Sequence, residues 1–198
     1  MTDDPEAVLR RDPVLEPVVD RFALEPLEPV ENEFERLCVS ILNQQLSTAS
    51  SAAVRSRFFE VLDDEVSPES VLAAEPAALR EAGLSNSKVE YVRNAATAFR
   101  DGEYARAALA DLPNEAVIDR LTEIRGIGTW TAQMYLLFVL QRPDVLPLGD
   151  LAIRRGIEAL YTDGESMSRA AMREVAKPWR PYRSLASRYV WAHYEADE

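Results

Sequence analysis

A short glycine turn and a single carboxylate are the features of this chain that could do chemistry. Gly126 and Gly128 flank Ile127 between two apolar segments, in a turn with little room for side chains where positive φ values are favoured. A helix beginning near Thr129 would direct free backbone N–H groups and the positive end of its dipole outward, which favours an anion such as phosphate. The carboxylate is that of Asp150, which ends the segment Leu-Pro-Leu-Gly-Asp after the second helix.

Both features also have a purely structural interpretation. A Gly-x-Gly turn can simply cap two helices, and Asp150 after Gly149 fits the N-cap of the next helix. Trp130, the apolar run that follows it and the closing carboxylate accompany the glycines, and this combination favours a binding role. The two interpretations of Asp150 are compatible, because an N-cap position would hold its side chain in place.

Composition restricts the class of protein. The chain has 198 residues, 47% of them hydrophobic, and 7 glycines, which is typical of a packed and mostly helical domain. No apolar run approaches the roughly 20 residues that span a bilayer, and the acidic start Met-Thr-Asp-Asp-Pro-Glu does not resemble a secretory signal. Cys38 is the only cysteine, so no internal disulfide can form, and we expect a cytoplasmic location.

The charge is distributed unevenly along the chain. The net charge of −12 seems unsuited to binding phosphates, which normally requires basic residues. Residues 1–35 hold eleven acidic residues against three arginines, whereas residues 150–191 hold eight basic residues against five acidic ones. The carboxy-terminal third can therefore present a basic face although the whole protein is acidic.

Helical periodicity dominates the chain. Apolar residues recur at spacings of three and four from Phe34 to Leu42, Ser67-Pro68 and Ser85 or Ser87 are helix starts, and nothing alternates as a strand would. After Asp150 the pattern predicts helices near 151–161, 168–176 and 181–195. We predict an all-α fold of about ten short helices.

Two further blocks add to the turn and the carboxylate. Residues 41–47 read Ile-Leu-Asn-Gln-Gln-Leu-Ser, and residues 177–186 read Lys-Pro-Trp-Arg-Pro-Tyr-Arg-Ser-Leu-Ala, with Trp191 beyond them. Together, from about Glu33 to Trp191, these features resemble the helix-hairpin-helix DNA glycosylases of base excision repair. Within that superfamily they resemble the alkylpurine branch, the DNA-3-methyladenine glycosylases II.

This resemblance implies a two-lobed helical fold with the active-site cleft between the lobes. It assigns residues 33–140 to a central bundle that contains the helix-hairpin-helix motif at about 115–140. Residues 1–32 and 141–198 would together form the second lobe. Members are usually monomeric, and the partner expected from the resemblance is double-stranded DNA that contains a damaged base.

The resemblance also implies an activity, with Asp150 as the catalytic residue. Family members hydrolyse the N-glycosidic bond of a flipped-out alkylated purine, such as 3-methyladenine or 7-methylguanine, and the aspartate stabilises the oxocarbenium-like transition state. Bifunctional relatives carry a nucleophilic lysine two residues after the second glycine, where this chain has Trp130, so no lyase activity is expected. One cysteine cannot hold the four-cysteine iron–sulfur cluster of other branches, and we expect no cofactor.

Further site residues follow from the resemblance alone. Aromatic and apolar walls of the base pocket would come from Trp130, Tyr182, Met134 and Trp179. Trp179 and Trp191 equally fit core packing. The gap left by the flipped base would be filled by Gln45 with Leu46 beside it, and the DNA backbone would contact Gly126, Ile127, Gly128, Thr129, Arg154 and Arg155. Main-chain oxygens of Thr122, Ile124 and Ile127 correspond to those that hold a monovalent cation in relatives, and the single histidine, His193, predicts no other metal site.

Other functions remain open at this point. A glycosylase of the same fold could act on uracil or on oxidised bases. A non-catalytic helix-hairpin-helix module would bind DNA as part of a larger assembly, and a structural helical protein would not bind DNA. The presence of Asp150 favours an enzyme over both of the last two.

Overall fold

The protein is described here by a computed structural model that covers residues 4–44 and 48–196, with the backbone alone for residues 48–51. Thirteen α-helices and no strand occur in this part of the chain, so the predicted all-α fold is confirmed. Their number exceeds the roughly ten that the sequence predicts, and several are single turns of four to six residues. In chain order the helices are α1 (Pro5–Leu9), α2 (Glu16–Arg21), α3 (Glu33–Asn43), α4 (Thr48–Val61), α5 (Pro68–Ala73), α6 (Pro76–Glu81), α7 (Asn86–Arg100), α8 (Arg106–Leu109), α9 (Asn114–Thr122), α10 (Thr129–Phe138), α11 (Leu151–Thr162), α12 (Arg169–Val175) and α13 (Arg183–Ala196).

The helices belong to two compact units. The central unit comprises Pro29–Leu140, and the terminal unit comprises Met1–Glu28 together with Gln141–Glu198. The central unit thus begins at Pro29, whereas the sequence places its start at residue 33. Across the described ranges, every helix is too short or too polar to cross a bilayer.

Local capping explains where several helices begin. The Ser67 hydroxyl accepts the N–H of Ser70 at 3.1 Å, and the Ser70 hydroxyl accepts the N–H of Ser67 at 2.9 Å, which forms a capping box at the start of α5. The Ser85 hydroxyl accepts the N–H of Lys88 at 3.2 Å at the start of α7. The start predicted at Ser67 is therefore confirmed, and of the two candidates Ser85 and Ser87 the N-cap is Ser85.

The core of the central unit is built on α3. Its apolar face is buried as the periodicity predicts, and burial raises the pKa of the Cys38 thiol far above its usual range. Phe34 lies against Phe99 of α7 with ring centroids 5.7 Å apart. Glu33, at the start of α3, accepts a hydrogen bond from the buried Tyr135 hydroxyl of α10 at 3.0 Å. These contacts hold α7 and α10, the two helices that carry and support the glycine turn, against α3.

The core of the terminal unit depends on a close approach of α11 and α13. A Cβ atom at Gly156 would lie 2.6 Å from Cγ1 of Val190 and 3.0 Å from its carbonyl oxygen, so only glycine permits this packing. The predicted helices at 151–161, 168–176 and 181–195 correspond to α11, α12 and α13. Helix α11 begins directly after Asp150, and its packing on α13 therefore sets the place of that residue within the unit.

A buried carboxylate completes this core. Asp12 is 7% exposed, and its Oδ2 accepts hydrogen bonds from the Tyr161 hydroxyl at 2.6 Å and from the Trp179 indole N–H at 2.9 Å. Its Oδ1 accepts the N–H of Val14 at 3.0 Å. Burial, reinforced by the hydrogen bond to Asp12, raises the pKa of Tyr161. The three bonds compensate for the cost of removing the carboxylate from water.

We expect Asp12→Ala to lower the free energy of unfolding by about 2–4 kcal/mol, because the buried indole N–H of Trp179 and the partly buried hydroxyl of Tyr161 lose their acceptor. Urea denaturation followed by tryptophan fluorescence measures this change. Glu165→Ala, at an exposed position of the same unit, is the matched control and should stay within about 0.5 kcal/mol of the wild type. Equal stability of the two variants would contradict this role of Asp12.

Candidate functional site

The two glycines of the turn differ in backbone conformation and in the space available for a side chain. Gly126 has a φ of +103°, and a Cβ atom there would lie 2.2 Å from Cγ of Tyr91, so both the conformation and the space require glycine. Gly128 has a φ of −94° in an extended conformation, and a Cβ atom there would meet nothing within 4 Å. The positive φ predicted for Gly126 is confirmed, and the one predicted for Gly128 is wrong, because Gly128 is the N-cap of α10 and N-caps take extended backbone angles.

The turn exposes the N-terminus of α10. Ile127 is buried at 3% exposure, and its N–H donates to the Ile124 carbonyl at 2.9 Å. Gly128 and Thr129 are exposed, and no side chain caps the helix at Gly128. The first N–H groups of a helix have no acceptor within it, and the dipole adds positive potential at the same end. The geometry therefore suits an anion, as the sequence predicts.

Gln44, at the end of α3, stabilises the glycine turn by hydrogen bonds. Its Nε2 donates to the Gly126 carbonyl at 3.0 Å and to the Thr131 hydroxyl at 2.9 Å. One side chain therefore links the first glycine of the turn to helix α10. Asn94 of α7 donates to the Arg125 carbonyl at 3.2 Å. The sequence analysis did not select Gln44, although two glutamines at the end of an apolar helix were the available signal.

The predicted gap-filling residues follow Gln44 directly. Gln45 and Leu46 lie outside the described residues, and their assignment stays a prediction.

The Asp150 carboxylate is held by two donors. It caps α11, with Oδ1 accepting the N–H of Ile153 at 3.1 Å, which confirms the predicted N-cap role. The same oxygen accepts the indole N–H of Trp191 at 3.2 Å. Trp191 is half-buried against the core of the terminal unit, so its ring packs while its nitrogen orients the carboxylate. No local signal could have paired these two residues, because Asp150 precedes α11 and Trp191 lies on α13.

The two predicted phosphate-binding arginines differ in their surroundings. Nη1 of Arg154 donates to the carbonyls of Leu148 and Gly149 at 3.0 Å each and to that of Asp150 at 3.2 Å. Arg155 has a side chain that is 55% exposed, and its Nη1 lies 3.1 Å from Glu158 in an ion pair. Phosphate binding by either residue stays a prediction.

The four residues predicted to line a base pocket fall into two groups. Trp130, at the second position of α10, and Tyr182 are half-buried, and Tyr182 packs against the core of the terminal unit. Trp179 is 0% exposed with its indole N–H on Asp12, and Met134 is 5% exposed inside the central unit. Burial and the bond to Asp12 account for Trp179 as a core residue, and burial alone does so for Met134, so we leave both out of the proposed pocket.

The main-chain oxygens predicted to hold a cation lie at the end of α9 and in the turn. Thr122 is the last residue of α9, where carbonyls lose their helical partners. The Ile124 carbonyl accepts the N–H of Ile127 at 2.9 Å, and a carbonyl oxygen has two lone pairs. Oxygen donors of this kind suit a hard monovalent cation, so the residues fit the predicted group. Elsewhere in the described ranges, no three His, Cys, Asp or Glu side chains cluster as metal ligands would.

Comparison with known proteins identifies relatives of this chain. A DNA-3-methyladenine glycosylase of Schizosaccharomyces pombe is 31% identical over 172 residues, which are 85% of this chain and 74% of that protein. A DNA-3-methyladenine glycosylase of Bacillus subtilis is 25% identical over 193 residues. This chain spans 64% of the length of the Bacillus subtilis protein, a little under two thirds.

Solved structures share the fold. The crystal structure of a DNA-3-methyladenine glycosidase from Bacillus halodurans matches with a TM-score of 0.82 and 33% identity, covering 100% of this chain and 93% of that one. A 3-methyladenine DNA glycosylase of Schizosaccharomyces pombe in complex with abasic DNA matches with a TM-score of 0.87 and 27% identity, covering 94% of each chain.

The family model of the HhH-GPD superfamily base excision DNA repair proteins matches residues 38–181. That range contains most of the central unit, the glycine turn, Asp150 and Trp179. The chain therefore belongs to the HhH-GPD superfamily of base excision DNA repair proteins.

Proposed function

We propose that this protein is a monofunctional DNA glycosylase that removes alkylated purines, such as 3-methyladenine or 7-methylguanine, from double-stranded DNA. The observation that carries the proposal is the Asp150 carboxylate, which two N–H donors hold at the N-terminus of α11. Two further findings support the same activity: this chain belongs to a base excision repair superfamily, and its relatives include proteins named DNA-3-methyladenine glycosylase.

In the proposed reaction, Asp150 acts on the sugar. The bond between C1′ and the purine nitrogen breaks, its electron pair leaves with the base, and positive charge develops on the sugar. The fixed carboxylate stabilises that charge, and a preorganised group does so without reorganisation during the reaction. Water then bonds to C1′ and loses a proton, which leaves an abasic site and free base. Since Ile153 and Trp191 fix one carboxylate oxygen, Asp150 is oriented before substrate binds.

The absence of lyase activity is proposed from Trp130. Its position in the turn motif is the one that a nucleophilic lysine occupies in bifunctional relatives. An indole nitrogen cannot form an imine with the sugar aldehyde, and Schiff-base chemistry needs an amine. We therefore expect free base and an intact DNA strand as products.

Recognition of the base is assigned to aromatic rings and to a loop. Trp130 and Tyr182 are the proposed walls, since alkylation at N3 or N7 makes a purine cationic and cations bind the faces of electron-rich rings. The base must first leave the duplex stack, and Gln45, with Leu46 beside it, is proposed to fill the gap.

Binding of the DNA backbone is assigned to the turn. The N–H groups at the start of α10, near Gly128 and Thr129, would hold a phosphate. A monovalent cation on the carbonyls of Thr122, Ile124 and Ile127 would supply additional positive charge when bound. Arg155 is a proposed phosphate contact on the terminal unit. We further propose that the protein acts as a monomer in the cytoplasm.

The test is a base-release assay on methylated duplex DNA, run beside a strand-cleavage assay at low and high salt. Release of methylated purines without strand cleavage is expected. Release with cleavage would contradict the assignment of Trp130. DNA binding without release of alkylated bases, followed by release of uracil or an oxidised base, would reassign the substrate. Binding without release of any base would indicate a non-catalytic module.

We expect Trp191→Phe to lower the single-turnover rate of base release roughly tenfold, which is the rate equivalent of losing one hydrogen bond to a charged group. Phenylalanine keeps an aromatic ring at this position, smaller than the indole, and removes the N–H that orients Asp150. Quench kinetics with enzyme in excess measure the rate, and the DNA dissociation constant should stay unchanged. A wild-type rate in this variant would exclude Trp191 from orienting the carboxylate.

A further inference from the structure

We propose that Arg154 is a positioning residue that fixes Asp150, rather than a ligand of a DNA phosphate. The inference deepens the proposed function and rests on it, because Asp150 is the group on which that function depends. Arg154 lies in the first turns of α11 and is half-buried.

The chain turns tightly just before Asp150. The N–H of Leu148 donates to the Leu146 carbonyl at 3.0 Å, and the N–H of Asp150 donates to the Pro147 carbonyl at 2.9 Å. The carbonyls of Leu148, Gly149 and Asp150 then lie within 3.0–3.2 Å of a single nitrogen, Nη1 of Arg154. Three successive carbonyl oxygens therefore converge on one cationic group.

The direction of α11 explains how Arg154 reaches this turn. Side chains of a helix point back toward its N-terminus, so the fourth helical residue can fold over the residues that precede the helix. A guanidinium is always charged and donates in a fixed planar pattern, which suits a set of converging acceptors. Arg154 thus holds the main chain of Asp150, while Ile153 and Trp191 hold its carboxylate.

Arg155, the next residue of the same helix, has different surroundings from Arg154. Its side chain is 55% exposed, and its Nη1 lies 3.1 Å from the carboxylate of Glu158, which is itself buried. To reach a phosphate, Nη1 of Arg154 would have to leave three carbonyls, whereas Arg155 already has more than half of its side chain in solvent and would exchange one ion pair.

The indole N–H groups provide a direct readout of the position of Asp150. The protein has three tryptophans, so a nitrogen-15-labelled sample gives three indole N–H signals in an NMR spectrum. The Trp191 signal reports its hydrogen bond to Asp150, and the Trp179 signal reports its bond to Asp12 in the core of the same unit. Asp150→Asn identifies the Trp191 signal and shows how far it moves when that bond changes.

The variants are Arg154→Gln, which removes the charge, and Arg154→Lys, which keeps the charge and can still donate to carbonyls. In Arg154→Gln we expect the Trp191 signal to move while the Trp179 signal stays in place, which also shows that the core is folded. Base release should fall roughly tenfold or more, because small displacements of a reacting group are costly. In Arg154→Lys both effects should be smaller.

DNA affinity separates positioning from phosphate binding. Loss of one phosphate contact reduces the slope of log affinity against log salt by about one. We expect both Arg154 variants to keep the wild-type slope and dissociation constant. Arg80→Gln, at an exposed arginine of α6 in the central unit, controls for the loss of one positive charge and should match the wild type in all readouts.

Two results would overturn the inference. One is a Trp191 signal that does not move in Arg154→Gln, and the other is a reduced salt slope in Arg154→Gln that Arg154→Lys restores. The failure of the proposed function is distinguishable, because it would appear as a wild-type protein that releases no base. The NMR spectra of the free protein would still decide whether Arg154 fixes Asp150.

Discussion

Asp150→Asn is expected to lower the single-turnover rate of base release by a factor of about 10²–10³, which is typical for loss of one preorganised electrostatic group. Asparagine has the shape of aspartate and keeps an oxygen that can accept the N–H of Ile153 and the indole N–H of Trp191. The start of α11 should therefore survive. What is lost is the negative charge that, in the proposed reaction, stabilises the sugar as the glycosidic bond breaks.

Asp163→Asn is the matched control for this variant. Asp163 lies at the other end of the same helix with a φ of 50°, a left-handed conformation that asparagine also adopts readily. The charge change is identical, so any general effect of losing one acidic residue appears in both variants. We expect the control to release base at the wild-type rate.

The DNA affinity of Asp150→Asn should not fall, although its rate of base release does. Removing a negative charge near DNA weakens repulsion, so Asp150→Asn should bind abasic or methylated DNA at least as tightly as the wild type. The dissociation constants and the unfolding midpoints are measured on the same preparations. Base release near the wild-type rate in a folded Asp150→Asn protein would remove Asp150 from the mechanism.

Gly126→Ala is expected to lower the free energy of unfolding by about 2–4 kcal/mol, the combined size of a left-handed backbone penalty and an overpacked contact. The new Cβ would overlap the ring of Tyr91, with 2.2 Å to its Cγ, at a φ of +103°. Either the ring or the turn must move. A displaced turn would no longer direct the N–H groups of α10 at the phosphate that we propose they bind, so we also expect DNA affinity to fall at least tenfold.

Gly128→Ala is the control two residues away. Its φ is −94°, and a Cβ atom meets nothing within 4 Å, so its cost should be limited to about 1 kcal/mol from the weaker N-cap. Adding Tyr91→Ala to Gly126→Ala should recover part of the loss, because it removes the ring that the new methyl group meets. Equal effects of Gly126→Ala and Gly128→Ala would refute this account of the turn.

Short-range rules account for what could be predicted from the sequence alone. The starts of α5 and α7, the apolar face of α3, the positive φ of Gly126 and the capping role of Asp150 each depend on residues within about four positions. The family could be inferred for a related reason, since its motifs are short segments of contiguous residues. The same rules failed at Gly128, where a glycine was needed neither for φ nor for space.

Only the tertiary structure decided which distant groups meet. Gln44 reaches Gly126 across 82 positions of sequence, Trp191 reaches Asp150 across 41, and Trp179 reaches Asp12 across 167. None of these long-range contacts produces a periodic pattern in the sequence, because a contact between helices depends on how their whole faces pack. The sequence by itself therefore determined the helices, the turn and the carboxylate of this protein. The packing of α11 on α13 and of α3 against α10 determined how the carboxylate and the turn are held.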